Sequence, residues 1–222
     1  FACTHAAGDM GDAPRLLAPP GYYQPVKASS GWRYDCPDIP EPYTGPLVFA
    51  SKYEGDDSSK AHLNKAAESH YRKDTKVIRT LESLSARITH DYIRGAGQGA
   101  RECLLELLYV WARADALLGG EVNPIGEAMR KWALATTGVH YLQIMQLDSG
   151  LPAVSARKRR VIEEWFAKLA DEVMAYYGNR GPEKANNHDY WAAWAVMVTA
   201  VNLQDRALYD WAMGKYGQGI GQ

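Results

Sequence analysis

Apolar residues return every three to four positions through most of this chain, and a turn signal cuts each run at ordinary helix length, which leaves little room for anything but packed helices. Val77, Leu81, Leu84 and Ile88 form one stripe, in a helix that begins after about Ser58 and ends near Gly95 and Gly97. Leu104, Leu107, Leu108 and Trp111 mark a second helix, from about Gly99 to Leu118, stopped by Gly119-Gly120. Asn123-Pro124 reads as an N-cap with proline at the first helical position, opening a third helix to about Leu147. Ser155 caps a fourth, through Trp165 and Leu169 to Tyr177. Asn186 opens a fifth, and Asp205 a sixth to about Gly214. No alternating strand pattern of useful length competes with these runs, so the fold class is all-α, built from antiparallel helical hairpins. Tryptophan followed by alanine recurs at Trp111, Trp132, Trp191, Trp194 and Trp211, but at uneven intervals, which speaks for large-next-to-small packing and against a solenoid period.

Residues 1 to about 50 are different. They hold most of the eleven prolines, with Gly and Ser between them, and read as an irregular, extended arm that must wrap the helical domain of residues 51–222. At 222 residues and 46% hydrophobic, the chain can bury one substantial core, so a second domain is not required. A net charge of −1 removes the global basic field that nucleic-acid binders use. No apolar run approaches the ~20 residues that span a bilayer, and Phe1 is not preceded by a signal sequence, so a soluble, already processed chain is expected. The three cysteines, Cys3, Cys36 and Cys103, fit no zinc spacing. Neither a metal nor a cofactor is expected.

The densest chemistry lies in Asn186-Asn187-His188-Asp189-Tyr190-Trp191-Ala192-Ala193-Trp194. With an asparagine as N-cap, His188 falls in the first helical turn, where backbone N–H groups without intrahelical acceptors and the helix dipole favour an anionic ligand. Asn187 and Trp191 are four apart and His188 and Trp191 three apart, so they can share a helix face, and an indole there would carry the apolar face of a sugar ring. Taken singly, each of these residues is equally at home as a cap, a carbonyl partner or core filling.

Three ordered stretches resemble the periplasmic alginate lyases, the poly(mannuronate) lyases of polysaccharide lyase family 5. They are the Asn186–Trp194 run, Tyr43-Thr44-Gly45-Pro46-Leu47-Val48-Phe49-Ala50-Ser51-Lys52-Tyr53-Glu54-Gly55, and Met129-Arg130-Lys131-Trp132-Ala133-Leu134. Pro19-Pro20-Gly21-Tyr22-Tyr23 also looks like the start of the mature lyase. The resemblance implies an incomplete α/α toroid, in which helical hairpins ring a deep cleft. It implies a periplasmic or secreted protein whose partner is the anionic polysaccharide alginate. It pairs Cys36 with Cys103 in a disulfide, which implies an oxidising compartment, and leaves Cys3 the odd thiol.

A lyase of this class removes the C5 proton of a uronate and expels the C4-linked oxygen. Negative charge builds on the neighbouring carboxylate, so the site needs donors for that group, a base, and an acid for the leaving oxygen. Asn187 and His188, the candidate catalytic residues, suit the first task. His188 suits the role of base as well, since its unperturbed pKa of about 6.5 leaves it partly neutral near pH 7. The resemblance makes Lys52 a partner for a uronate carboxylate and Tyr53 a partner for a sugar ring or hydroxyl, with Trp191 the third substrate-binding candidate. Arg130 and Lys131, on an amphipathic helix, read as a solvated face.

In the family an arginine assists and a tyrosine serves as acid and base, both from a segment after the last helix seen here. The sequence stops at Gln222 before any counterpart. Two expectations follow: a fragment whose toroid is completed by a missing C-terminal segment or a second chain, or a protein that binds alginate without turnover. Tyr190 is a poor substitute, since two residues along a helix it points away from His188. A glycoside hydrolase on a similar scaffold is the third reading, and it requires paired carboxylates at the cleft.

Overall fold

The computed structural model describes residues 14–23, 25–28, 31, 33–53, 62–146, 153–181 and 185–220. Cys3 and the stretch from Glu54 to Ala61 lie outside them. Among the described residues seven α-helices and one π-type segment carry the fold: α1 (Lys65–Asp74), α2 (Lys76–Asp91), the π segment (Tyr92–Ala96), α3 (Gly97–Arg113), α4 (Pro124–Gln146), α5 (Ala156–Gly178), α6 (Asn187–Leu203) and α7 (Arg206–Ile220). Among the described residues the only β pairings are two isolated bridges, Leu47 with Val122 and Tyr53 with Leu63.

The helices form two rows. α2, α4 and α6 lie side by side, α3 and α5 form the second row behind them, and α7 packs along α6. This alternation of successive hairpins is the arrangement of an incomplete α/α toroid. α4 sits in the middle, packed against α2, α5 and α6, so it is buried on nearly every side. Trp111 of α3 and Trp165 of α5 are wholly buried, and each finds an acceptor for its indole N–H, Trp111 on Pro40 O (3.1 Å) and Trp165 on Ala116 O (2.8 Å).

The punctuation explains most boundaries. Asn123 accepts from Gly126 N (2.9 Å) at the start of α4, and Asp205 accepts from Ala207 N (2.8 Å) and Leu208 N (3.1 Å) at the start of α7. Ser155 stands before α5 but makes no side-chain cap. The first long stripe is two helices. At Thr75, φ −90° and ψ 0° interrupt the ladder, and the hydroxyl donates back to Tyr71 O (2.7 Å), a second donor on the carbonyl that already accepts from Thr75 N (3.0 Å). α7 continues through Gly214 and Gly217 to Ile220, because packing along α6 outweighs the ~1 kcal/mol that glycine costs in a helix. α3 ends at Arg113, and the positive φ of Asp115 and Leu117 turns the chain before Gly119.

The described residues of the arm lie along the helices and are pinned by specific bonds. Gln204, itself at φ 57°, pairs with both the N–H and the C=O of Leu16 (2.9 Å each). Lys27 N donates to Ile93 O of the π segment (2.9 Å), and Gly95 there, at φ 105°, lets the carbonyl of Ala28 approach where a Cβ would collide. The Cys36–Cys103 disulfide ties the arm to α3. Leu47 and Phe49 are buried; Leu47 N donates to Glu121 O (2.8 Å), Asn123 N donates to Leu47 O (3.1 Å), and Asn123 Nδ2 donates to Phe49 O (2.8 Å). This short extended piece delivers Ser51, Lys52 and Tyr53 to the mouth of a cleft.

Candidate active site

The cleft has a volume of about 440 Å³ and is walled by the arm (Lys52, Tyr53), α1 and α2 (Tyr71, Arg79), α4 (Ala128, Trp132), the end of α5 (Tyr176, Tyr177, Arg180) and the start of α6 (Asn186, Asn187, His188). Four of the five predicted site residues, Lys52, Tyr53, Asn187 and His188, therefore meet at one place although Tyr53 and Asn187 are 134 positions apart (187 − 53) in the chain. Around them stand the cations Arg79 and Arg180, the rings of Tyr71, Trp132, Tyr176 and Tyr177, the Asn186 amide and the smaller Ser51, Pro124, Ile125 and Ala128, and among the described residues no carboxylate lines the wall.

The start of α6 is built by a reciprocal cap. Asn186 Oδ1 accepts from His188 N (2.9 Å), while Asn186 N donates to Asp189 Oδ2 (3.0 Å). Asp189 is buried and lies 3.0 Å from both Arg180 Nη1 and Lys215 Nζ, which locks the end of α5, the start of α6 and α7 together. Asn187 and His188 thereby face the cleft from a rigid helix end.

Beneath them lies Lys131. Its side chain is fully buried; Nζ donates to Tyr177 Oη (2.7 Å) and lies 2.6 Å from His188 Nδ1. Burial pulls the Lys131 ammonium down to about 7, opposed by the Asp189 carboxylate and aided by Arg180. Burial raises the Tyr177 phenol above its ordinary range. Trp132 stands beside the imidazole, ring centroids 5.9 Å apart and planes at 31°. The Arg79 guanidinium lies 5.4 Å from the Trp132 ring and is held by Tyr71 Oη (3.1 Å) and Glu82 Oε2 (3.1 Å). Lys52 Nζ lies 5.3 Å from the Tyr53 ring.

Two expectations need correction. Arg130 and Lys131 are not a solvated face. α4 is enclosed by three helices, so Arg130 is buried against Glu127 (2.8 Å), Glu172 (3.1 Å), Leu117 O (2.9 Å) and Gly119 O (3.3 Å), and Lys131 is turned into the site. Trp191 does not stand with His188. It lines a separate apolar groove between α6 and α7, with Tyr190, Trp194, Met197, Met213 and Tyr216, and the indole beside His188 is Trp132. Helical spacing places Trp191 one turn from His188, but Asn187 alone reaches both concavities. Lys131, Trp132 and Arg79 are the site residues that sequence reasoning missed. The signal for the first two was their place in a stretch matched to a family motif despite their unremarkable local pattern.

The alginate lyase family profile matches residues 48–222. An alginate lyase from Cobetia marina is 43% identical over 218 residues, covering 97% of this chain and 58% of that protein. One from Pseudomonas aeruginosa is 41% identical over 216 residues, covering 97% of this chain and 59% of its own. Among solved structures, alginate lyase A1-III from Sphingomonas species A1 superposes with a TM-score of 0.68 at 25% identity, over 87% of this chain and 53% of that one. A variant of A1-III complexed with a tetrasaccharide gives 0.72 at 26% identity, over 86% and 51%. The fold is that of the solved alginate lyases over the part of their length that this chain matches. The chain belongs to the alginate lyase family, and it spans under three-fifths of the length of these two relatives.

Proposed function

We propose that this chain supplies the substrate-binding and charge-neutralising part of a lyase that cleaves mannuronate-rich alginate by β-elimination at the C4–O glycosidic bond, leaving an unsaturated uronate end. The observation that carries the reading is the convergence of Asn187 and His188 at the start of α6 on a cleft rimmed by Lys52 and Arg79. Removing the C5 proton pushes charge onto the uronate carboxylate, and an amide N–H with an imidazole N–H fixed on a helix end stabilise that charge without reorganising. Lys52 and Arg79 offer cations to neighbouring uronates, and Tyr53 and Trp132 offer ring faces to the sugars. A hydrolase reading requires two carboxyl groups around the scissile bond, and among the described residues none lines the cleft.

The proton-transferring tyrosine and its arginine, which the family resemblance implies, belong in this reading to the length of the relatives that this chain does not match. The apolar α6–α7 groove, about 880 Å³ with Trp191, Trp194, Met213 and Tyr216 exposed along it, is where further helices of the toroid would pack. The Cys36–Cys103 disulfide supports a periplasmic or secreted location.

The test is to incubate the chain with polymannuronate, follow the ultraviolet absorbance of the unsaturated product, and measure affinity by calorimetry, with His188→Ala alongside. A His188-dependent rise in absorbance supports the lyase. Saturated products would identify a hydrolase. Binding without product would make this chain an alginate-binding unit that needs the remaining length for turnover.

A further inference from the structure

Lys131 is a cation shut off from solvent, and it touches two residues of the cleft wall, His188 and Tyr177. Its Nζ lies 2.6 Å from Nδ1 of the imidazole and 2.7 Å from Tyr177 Oη, with the Tyr177 ring centroid at 4.5 Å. The charged groups that act on it are Glu127 from its own helix, Arg180 just after α5, and Asp189 from α6, the last paired with Lys215 of α7.

An ammonium has hydrogen-bond donors and no acceptor. The imidazole nitrogen facing it must therefore accept, and a nitrogen that accepts carries no proton. In a neutral ring the single proton then resides on Nε2, since the bond made by one ring nitrogen decides the state of the other. The geometry points to Lys131 as a positioning residue that fixes His188 as the neutral Nε2–H tautomer, so that the ring meets the substrate carboxylate as a donor and does not act as the base. The part that concerns substrate rests on the lyase reading; the tautomer does not.

Two further observations agree. Protonating Nδ1 would remove the acceptor and set two cations 2.6 Å apart. Trp132 flanks the ring, which restricts rotation that would exchange the nitrogens. Because burial pulls the Lys131 ammonium down to about 7, the lock is set below that pH and loosens above it, when a neutral amine can accept from an Nδ1–H.

The experiment is long-range ¹H–¹⁵N correlation on protein labelled at histidine imidazole nitrogens, recorded at pH 6 for wild type and Lys131→Met, with His188→Gln to assign the signal. The expected result is Nε2–H in wild type and substantial Nδ1–H in folded Lys131→Met. An Nδ1–H ring or an imidazolium in wild type at pH 6, or an unchanged Nε2–H ring in Lys131→Met, would overturn the assignment. Where Lys131→Met does not fold, raising wild type from pH 6 to pH 9 must release the Nδ1–H form, and persistence of a pure Nε2–H signal would sink the idea. The readout needs no turnover, so a chain that fails the ultraviolet assay can still pass this test.

Discussion

The carbonyl of Leu47 occupies the space that a Cβ on Gly126 would take. That contact lets the arm lie flat against the first turn of α4, where Asn123 holds both Leu47 and Phe49, and it sets the position of Lys52 five residues on. Gly126→Ala must push the backbone away, since a backbone carbonyl cannot rotate aside. The expected cost is about 1–3 kcal/mol in stability, read by urea denaturation, together with weaker alginate binding. Wild-type values for both would show that the arm is not fixed by this contact.

Asp189 holds two cations in a buried setting, Arg180 and Lys215. Asp189→Asn keeps the shape but leaves Lys215, which is 5% exposed, without its counter-charge. Removing one partner of a buried pair costs about 3–5 kcal/mol. Thermal unfolding should show it, and the His188 signals should shift because the start of α6 loses its anchor.

The Cys36–Cys103 disulfide closes a loop spanning 67 positions. Chain-entropy arguments give such a cross-link about 4 kcal/mol. Replacing both cysteines by serine should lower the melting temperature by roughly 8–16 °C for a chain of this size, while a similar loss on adding reductant to wild type would identify the bond as the cause.

His140 on α4 is largely buried, its Nδ1 has no hydrogen-bond partner among the described residues, and burial lowers its pKa to about 4. The unfolded chain binds a proton there near pH 6.5 and the folded chain does not, so stability rises with pH between about 4 and 6.5 and is lost on acidifying through that window. The size is on the order of 3 kcal/mol. Carboxylates titrate nearby, so the measurement is the difference between wild type and His140→Leu in urea midpoint at pH 7 and pH 4. An equal acid sensitivity in both proteins would count against His140 as a source.

The two indoles separate two surfaces. Trp132→Ala should weaken binding of a mannuronate oligomer about tenfold, or ~1.4 kcal/mol, because its ring stands beside His188 and under Arg79. Trp191→Ala should leave that affinity unchanged, since its ring lines the α6–α7 groove. Calorimetry on both variants decides it, and the reverse ranking would return Trp191 to the substrate site.

What the sequence determined by itself is local. Period-3.6 stripes, the caps at Asn123, Asn186 and Asp205, and the proline-rich arm are short-range signals, and they placed nearly every helix; the Thr75 break, the π segment at Tyr92–Ala96, the last turns of α3 and α7 and the missing Ser155 cap were not read from them. The matched stretches also named Asn187, His188, Lys52 and Tyr53, and the Cys36–Cys103 pairing. What only the tertiary structure decided is which face of each helix meets which neighbour. Lys131 looks like a surface lysine because its burial comes from α5 and α6, at Tyr177 and His188, 46 and 57 positions away. Trp191 looks like a site residue because helical spacing fixes its angle to His188 but not where one concavity ends and the next begins. That boundary is drawn by α7 and the arm packing across α6, and long-range packing of that kind leaves no periodic trace in the chain.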